Sequence, residues 1–228
     1  MIVKIKRQAA PDAAPYWQSF VYDGNRHVTV SAVLDALNYT DDLFDSEGNA
    51  APRIRWECSC LQSLCGGCAM VINGTPALAC ATYADAGKGE ELVLEPLSKF
   101  PVVADLVVDR TVIHESLIRA QAFLDTPAAP DARAHAHAHA HQYSVAKCLK
   151  CGLCLEVCPN YRAEGDFFGA VLANESYLAA SQSSDKKSPA VKGYQTHFAA
   201  GCSKALSCES VCPMGIQTLT SILRMNRK

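Results

Sequence analysis

The fold of the carboxyl-terminal part of this chain is decided by the stretch CLKCGLCLEVCP, residues 148–159. Its cysteines follow the spacing C-x2-C-x2-C-x3-C-P, in which thiolates bind an iron–sulfur cluster. Where two such runs occur together, the first three cysteines of a run bind one cluster and the fourth binds the other. The stretch therefore predicts a small helical domain with two clusters, and it requires a second run elsewhere in the chain.

The second run stands near the end of the chain as CSKALSCESVCP, residues 202–213. It keeps three cysteines and the following proline, but Ala205 occupies the place of the second cysteine. If the fourth cysteines cross between the runs, one site receives four thiolates and is predicted to hold [4Fe-4S]. These four are Cys148, Cys151, Cys154 and Cys212. The other site receives the three thiolates of Cys158, Cys202 and Cys208.

Three outcomes are open for the site with three thiolates. It could bind [3Fe-4S], which lacks the corner that a cysteine at position 205 would hold. It could instead bind [4Fe-4S] with one iron open to a substrate, or it could bind no cluster. The intact spacing on both sides of Ala205 favours [3Fe-4S], because an unused repeat has no reason to keep its intervals.

A different motif occurs earlier, in CLQSLCGGCAMVINGTPALAC, residues 60–80. Its C-x4-C-x2-C spacing, with a fourth cysteine downstream, is typical of plant-type ferredoxins, which bind [2Fe-2S]. Gly66 and Gly67 suit a tight loop whose backbone N–H groups point at the sulfides. Cys58 could replace the first cysteine with a longer interval, but the simpler interpretation leaves Cys58 as a spare thiol. The predicted ligands are then Cys60, Cys65, Cys68 and Cys80.

These ligand sets use eleven of the twelve cysteines. Disulfides are disfavoured, because no secretory signal is visible and the cysteines follow C-x2-C intervals. No apolar stretch approaches the roughly 20 residues that span a bilayer. The net charge of −2 argues against a general nucleic-acid surface. No catalytic grouping such as Ser–His–Asp is evident, so no catalytic residue is predicted.

The secondary-structure signals indicate an α+β chain. Strands are predicted in the first hundred residues, and a helix is predicted over 28–39 with Ser31 as its N-cap. Apolar residues at steps of three and four predict another helix over 103–124. We expect three parts, which are a [2Fe-2S] β-grasp domain of the plant ferredoxin type at 1–104, a helix and linker at 105–142, and an all-α bacterial-ferredoxin-like domain with two clusters at 143–228.

The expected linker contains an alternating tract, AHAHAHAH, with His135, His137, His139 and His141. Histidine-rich tracts can bind metal. The four side chains would share one face in a strand and split between two faces in a helix. The preferred interpretation is an alanine-rich linker that its histidines keep soluble, and the alternative is a tract that binds metal or docks a partner.

The order of the three cysteine motifs resembles the iron–sulfur subunit of succinate dehydrogenase and fumarate reductase. The likeness covers nearly the whole chain and includes CGGCAMVING, FPVVADLVVDR and KCGLCLEVCPN. The resemblance implies the eleven cysteine ligands assigned above. It also implies an electron-transfer subunit of a succinate:quinone oxidoreductase or quinol:fumarate reductase, which relays single electrons between FAD and quinone through [2Fe-2S], [4Fe-4S] and [3Fe-4S].

The resemblance also implies partners and a location. FAD would belong to a flavoprotein subunit that performs the dicarboxylate chemistry. Quinone, with menaquinone as a candidate, would bind at one or more membrane anchor subunits, which can also carry haem. The expected location is the cytoplasmic face of a bacterial inner membrane, peripheral and held by these partners. The alternative is the equivalent subunit of a related flavoprotein reductase or dehydrogenase; a sensing role fits less well, because three linked clusters exceed what sensing needs.

The chain departs from the family near the implied quinone site. Well-studied members carry a Trp shortly after the Cys-Pro that matches Cys158 and Pro159, and a His after the next cysteine. Here those positions hold Ala163 and Ser203, whereas Pro159 is retained and is the quinone-site candidate. We therefore expect a quinone site that is built differently, or a different electron acceptor.

Overall fold

The computed structural model describes residues 1–86, 91–124, 136–183 and 188–227. It separates into two compact units, Met1–Asp109 and Arg110–Lys228. The first unit contains the β-structure and the second is built from helices. The predicted α+β fold class, with a β-sheet domain followed by a helical domain, is confirmed.

A five-stranded mixed sheet forms the first unit. The strands run in the order β2-β1-β5-β3-β4, with β1 and β5 parallel and the other neighbours antiparallel. A separate two-stranded ribbon, β6 with β7, follows. The strands are β1 Ile2–Arg7, β2 Tyr16–Val21, β3 Ala69–Ile72, β4 Thr75–Leu78, β5 Glu91–Glu95, β6 Val102–Ala104 and β7 Val107–Val108.

The alternation of apolar with other residues along β1 and β5 decides which face of the sheet is buried. Val3 and Ile5 of β1 are fully buried, as are their neighbours on the parallel strand β5, Leu92 and Leu94. Helix α1, Val30–Asn38, contributes a further row of buried apolar side chains to this unit. Because the side-chain period of a strand is two, Arg7 is buried on the same face as Val3 and Ile5, whereas Ile2, Lys4 and Lys6 alternate with them and are half-buried.

The N-cap of helix α1 lies two residues before the expected one. The N-cap is Thr29, whose Oγ1 accepts a hydrogen bond from the N–H of Ala32 at 3.3 Å. Ser31, the predicted N-cap, lies inside the helix, is buried, and pairs its hydroxyl with that of Thr29 at 2.9 Å. The prediction failed because two hydroxyl residues two positions apart both satisfy the sequence signal for a cap.

A buried ion pair ties the two ends of the first unit together. Nε of Arg7 lies 2.9 Å from Oδ1 of Asp105, and both side chains are almost fully buried. Asp105 also accepts hydrogen bonds from the backbone N–H groups of Gln8 and Arg55, at 3.0 and 2.9 Å. The Arg7 guanidinium donates further to Gln18. Each charge is therefore compensated by a charge and by hydrogen bonds, as burial requires.

The helix predicted over 103–124 is wrong in its first part. Residues 102–108 form the ribbon of β6 and β7, and Asp105 adopts φ 48° between them. The apolar spacing was ambiguous, but a left-handed turn at the buried partner of Arg7 excludes a helix there. Helix α2, Thr111–Arg119, occupies only the middle of the predicted range.

Short helices build the second unit, as the lack of strand alternation predicted. The longest of the described helices, α5 (Gly169–Gln182), is buried along most of its length and packs against most of the other helices of the unit. Aromatic side chains of Phe168, Tyr194 and Phe198 form a core with Leu172 of α5. Besides α2, the helices are α3 Ala136–Ala146, α4 Leu153–Glu156, α5 Gly169–Gln182, α6 Pro189–Tyr194, α7 Ser207–Ser210 and α8 Thr218–Met225, with a π-helical turn at Gln195–Ala199.

The histidine tract does not behave as a uniform solvated linker. Residues 136–141 of the tract belong to α3, and His141 is 7 % exposed. The His141 Nε2 lies 2.9 Å from the Ser221 hydroxyl, and its ring contacts that of Tyr177 at 4.9 Å between centroids. His139 is exposed, whereas His135 and the side chain of His137 lie outside the described residues. The solubilising interpretation is therefore wrong for His141, which anchors α3.

Removal of the buried carboxylate of the first unit should destabilise it strongly. For Asp105→Ala we expect a loss of about 3–5 kcal/mol in the free energy of unfolding, since Arg7 is left buried and unpaired. Urea unfolding followed by tryptophan fluorescence measures it, because both tryptophans, Trp17 and Trp56, lie in this unit. Glu95→Ala, which removes the more exposed pair with Lys6, is the control, with an expected loss below about 1 kcal/mol.

Helix α3 should loosen in mild acid. Burial and the nearby charge of Arg224 lower the pKa of His141 below its usual 6.5, against an opposing effect of Glu209. The unfolded helix then binds a proton that the folded helix excludes, so stability is full above pH 6.5 and is lost as pH falls through the lowered pKa. Hydrogen exchange of α3 amides, corrected for intrinsic rates, should show this loss. The loss of protection in acid should be absent in His141→Gln and as large as in the wild type in His139→Gln.

Candidate iron–sulfur sites

A left-handed loop surrounds the cysteines of the first unit. Leu61, Ser63 and Gly66 have φ values of 52°, 60° and 77°. This path turns successive N–H groups inward, because it departs from both helix and strand geometry. Gly66 thus needs the freedom of glycine, as predicted, whereas Gly67 does not have a positive φ. The loop is shaped around a group that accepts hydrogen bonds.

The four thiols of this loop lie together. Cys60 accepts hydrogen bonds from the N–H groups of Gln62 and Leu64, each at 3.3 Å. Cys80 accepts one from the Ser63 N–H at 3.3 Å, and its sulfur lies 3.3 Å from that of Cys68. A hydrogen bond from Cys65 to Cys60 completes the group.

The loop distinguishes Cys60 from Cys58. The N–H donors of Gln62 and Leu64 lower the pKa of Cys60 to about 7, so the loop stabilises a thiolate there. Cys58 is exposed. At the other end of the group, burial raises the pKa of Cys68 to about 12. One side of the loop is therefore prepared for a thiolate, and the other requires a cation before its thiol ionises.

In the second unit the cysteines of the two runs interleave around two cavities. The first cavity, named here the four-thiol cavity, is lined by Cys148, Cys151, Cys154 and Cys212. The second, the three-thiol cavity, is lined by Cys158, Cys202 and Cys208, with Ala205 and Pro159 in its wall. Cys208 also reaches the wall of the four-thiol cavity. The structure thus places the fourth cysteine of each run with the other run, as the crossed pairing requires.

Position 205 retains the backbone of a ligand position. In the first run Lys150 and Gly152 have φ values of 52° and 89° on either side of Cys151. In the second run Lys204 and Leu206 have φ values of 60° and 57° on either side of Ala205. A short helix follows in each run, α4 and α7, at the same distance from the turn. The second run is therefore a complete structural repeat that lacks one thiol.

The retained turn has an energetic cost. Leu206 occupies the left-handed region without the freedom of glycine, which costs on the order of 1–2 kcal/mol. Lys204 adopts the same region. A decayed site would be expected to relax toward ordinary backbone geometry, because nothing would hold the strain. The repeat geometry therefore supports a built site with three ligands over an abandoned one.

The donor set of the four-thiol cavity fits a cluster of positive irons. Burial raises the pKa of Cys151 to about 11, and the pKa of Cys154 well above its usual value. Repulsion from Cys148 and Cys212 adds to the shift of Cys151. Thiolates crowded and buried in this way need cations to compensate their charge. Within the described residues no three Cys, His, Asp or Glu side chains converge as they would around a single metal ion.

The side-chain amide of Asn174, at the wall of the four-thiol cavity, also fits a bound cluster. Nδ2 of Asn174 donates to the Thr218 hydroxyl at 3.0 Å, while the buried Oδ1 has no hydrogen-bond partner in the described part of the chain. The Thr218 hydroxyl in turn donates to the Cys208 thiol, so the amide, the hydroxyl and a cavity thiol are linked by hydrogen bonds. Hydrogen bonds to sulfur are among the features that tune an iron–sulfur cluster.

Two family models match the chain in the order of its two units. The model for a 2Fe-2S iron-sulfur cluster binding domain matches residues 2–115. The model for a 4Fe-4S dicluster domain matches residues 144–216. These matches agree with the loop of the first unit and the two cavities of the second.

Full-length relatives decide the family. The chain is 30 % identical to the succinate dehydrogenase iron-sulfur subunit of Bacillus subtilis (strain 168), over 98 % of this chain and 90 % of that protein. The chain belongs to the family of succinate dehydrogenase and fumarate reductase iron–sulfur subunits. It is 32 % identical to the fumarate reductase iron-sulfur subunit of Mycobacterium tuberculosis, over 93 % of this chain and 85 % of that protein.

A solved structure supports the fold of this iron–sulfur subunit. A chain of the Mycobacterium smegmatis Sdh1 complex in the apo form superposes with a TM-score of 0.76 over 98 % of this chain and 92 % of that chain. At 23 % identity this likeness shows the fold alone. The chain is an oxidoreductase subunit, and none of the helices among the described residues is long and apolar enough to cross a bilayer.

Several residues of these sites carried no signal in the sequence. Asn174 and Thr218 lie outside the two cysteine motifs, and the packing of α5 and α8 brings them to the four-thiol cavity. The left-handed backbone at Lys150 and Lys204 was likewise not predicted, because lysine has no preference for it. Comparison of the two runs position by position was the one available signal, since it pairs these two lysines.

The missing thiol can be restored to test whether position 205 is a ligand position. In Ala205→Cys the left-handed turn already presents the side chain as at Cys151, so we expect the three-thiol site to gain a fourth ligand. The magnetic resonance signal of an oxidised three-iron cluster should disappear, and iron per complex should rise by one. Ser203→Cys, outside the repeat position, is the control. A signal that persists in Ala205→Cys would contradict the equivalence of the two runs.

Proposed function

We propose that this chain is the electron-transfer iron–sulfur subunit of a succinate:quinone oxidoreductase or quinol:fumarate reductase. In the proposal it relays single electrons between FAD on a flavoprotein subunit and quinone at a membrane anchor, at the cytoplasmic face of a bacterial inner membrane. The observation that carries the proposal is the interleaving of two cysteine runs around a four-thiol and a three-thiol cavity. Membership of the family supports the substrate class.

The proposed ligands follow from the thiol groups of the structure. [2Fe-2S] would be held by Cys60, Cys65, Cys68 and Cys80, [4Fe-4S] by Cys148, Cys151, Cys154 and Cys212, and [3Fe-4S] by Cys158, Cys202 and Cys208. When bound, these clusters supply one-electron redox chemistry, with potentials set by cluster type, hydrogen bonds to sulfur and burial.

The residues around the thiols would control that chemistry. The N–H groups of the 61–64 loop donate to Cys60 and Cys80 and so stabilise added negative charge. In the four-thiol cavity, Cys151 is buried and its apolar neighbours Leu153 and Val171 are almost fully buried. Such burial excludes water and limits reorganisation on electron transfer. The chain itself would make and break no bond of the dicarboxylate.

The wall of the three-thiol cavity carries the residues that bear on the electron acceptor. Pro159 lies in the wall of the three-thiol cavity, beside Cys158. Ser203, which stands where well-studied relatives have His, lines the same cavity and is exposed. A quinone contact near Pro159 is therefore proposed with different polar partners, and menaquinone is the proposed quinone. The alternative proposal is the equivalent subunit of a related flavoprotein reductase or dehydrogenase with another substrate. Electrons would pass through the three clusters in the same order.

Electron paramagnetic resonance of the complete complex tests the proposal. Air-oxidised complex should give the signal of an oxidised three-iron cluster, because the oxidised two-iron and four-iron clusters are silent. Addition of succinate should remove it. A signal that succinate leaves unchanged would favour the alternative substrate or an enzyme biased toward fumarate reduction, and the absence of an oxidised signal would reject the three-iron assignment.

Loss of a thiol at the three-thiol site should separate two activities. In Cys158→Ser or Cys208→Ser we expect succinate oxidation with quinone to fall at least tenfold, because the proposed path ends there. Reduction of an artificial dye at the flavin should fall less than twofold. Cys58→Ser, which lies outside the ligand sets, is the control and should retain both activities. Equal loss of both activities in the assembled complex would contradict the proposed order of electron transfer, in which the three-thiol site comes last before quinone.

A further inference from the structure

A salt bridge lies directly beside the four-thiol cavity. Nζ of Lys150 is 2.5 Å from Oε1 of Glu175, and the two side chains are 26 % and 13 % exposed. Lys150 belongs to the first cysteine run and lines the cavity, whereas Glu175 projects from α5. Such a pair is more shielded from solvent than the exposed pair of Arg119 and Asp166 in the same unit.

Lys150 is coupled to the thiols in two ways. Its backbone N–H donates to the Cys148 thiol. Its ammonium group favours the charged form of Cys148, and the carboxylate of Glu175 opposes it. The ion pair therefore brings one positive and one negative charge to the same thiol.

The second cysteine run lacks this arrangement. Lys204 is the equivalent of Lys150, with the same left-handed backbone, but it is exposed and forms no ion pair among the described residues. The lysine is thus common to both runs, but of these two lysines only Lys150 pairs with a carboxylate among the described residues. This contrast indicates that Glu175 is not needed merely to build the turn.

We propose that the Lys150–Glu175 pair tunes the reduction potential of the cluster in the four-thiol cavity, with Glu175 cancelling the charge that Lys150 places beside it. The inference rests on the proposed function, since it assumes a redox cluster at these thiols. Reduction adds one negative charge to the cluster. Lys150 alone favours the reduced form and Glu175 disfavours it. Both residues act through the thiols and so are positioning residues, not catalytic ones.

Opposite shifts in two single variants test the proposal. In Glu175→Gln the uncompensated lysine should raise the potential, and in Lys150→Met the uncompensated carboxylate should lower it. We expect each to change the reduced-to-oxidised ratio at fixed potential about tenfold, which is about 59 mV for one electron. The double variant should return close to the wild type. The measurement is a potentiometric titration of the four-iron signal by electron paramagnetic resonance, in membranes with the complete complex.

Matched controls separate the local charge from net charge and from structure. Asp166→Asn and Lys192→Met change net charge in the same ways at exposed positions and should not shift the potential. Lys150→Arg keeps the charge and should retain both the cluster and the potential. Single variants that shift in the same direction, show no shift, or lose the cluster would overturn the proposal. A wild-type complex without a four-iron signal would instead reject the proposed function.

Discussion

Buried thiols cannot ionise side by side without a compensating positive charge, and this constraint governs the second unit. Burial and mutual repulsion raise the pKa of Cys151 to about 11 and that of Cys154 well above its usual value. Under the proposed function, iron supplies the missing charge and displaces the thiol protons. Folding of Arg110–Lys228 and binding of iron are then one process, because the thiolates are stable only with the metal and the metal is held only by the folded cavity.

Interleaving of the two cysteine runs makes the two cavities dependent on each other. Cys212 lines the cavity formed mainly by the first run, and Cys158 lines the cavity formed mainly by the second. The cysteines of one run alone therefore complete neither cavity. Helix α5 contributes to both walls, with Asn174 at one and Ala170 at the other. A defect at either cavity is therefore expected to reach the other through shared backbone, whereas the loop of the first unit draws all its thiols from residues 60–80.

Cysteine spacing predicted the order of the two units, because ligand intervals are local and cluster geometry restricts them tightly. The same reasoning failed at residues 102–108, where apolar spacing fits a helix but the partner of Arg7 requires a turn. It also missed the anchoring role of His141, because a repetitive tract gives no indication that only one histidine meets Ser221. Contacts between distant parts of the chain are what single-sequence patterns do not contain.

The Arg7–Asp105 pair has a consequence for synthesis of the chain on the ribosome. The carboxylate is 97 residues beyond Gln8, the neighbour of Arg7. At about 5–20 residues per second, roughly 5–20 s pass before it is made. During that time the guanidinium has no acidic partner for its buried position, so β1 cannot adopt its final packing. Native closure of the first unit must therefore wait until the β6–β7 ribbon has left the ribosome, although its cysteine loop emerges earlier.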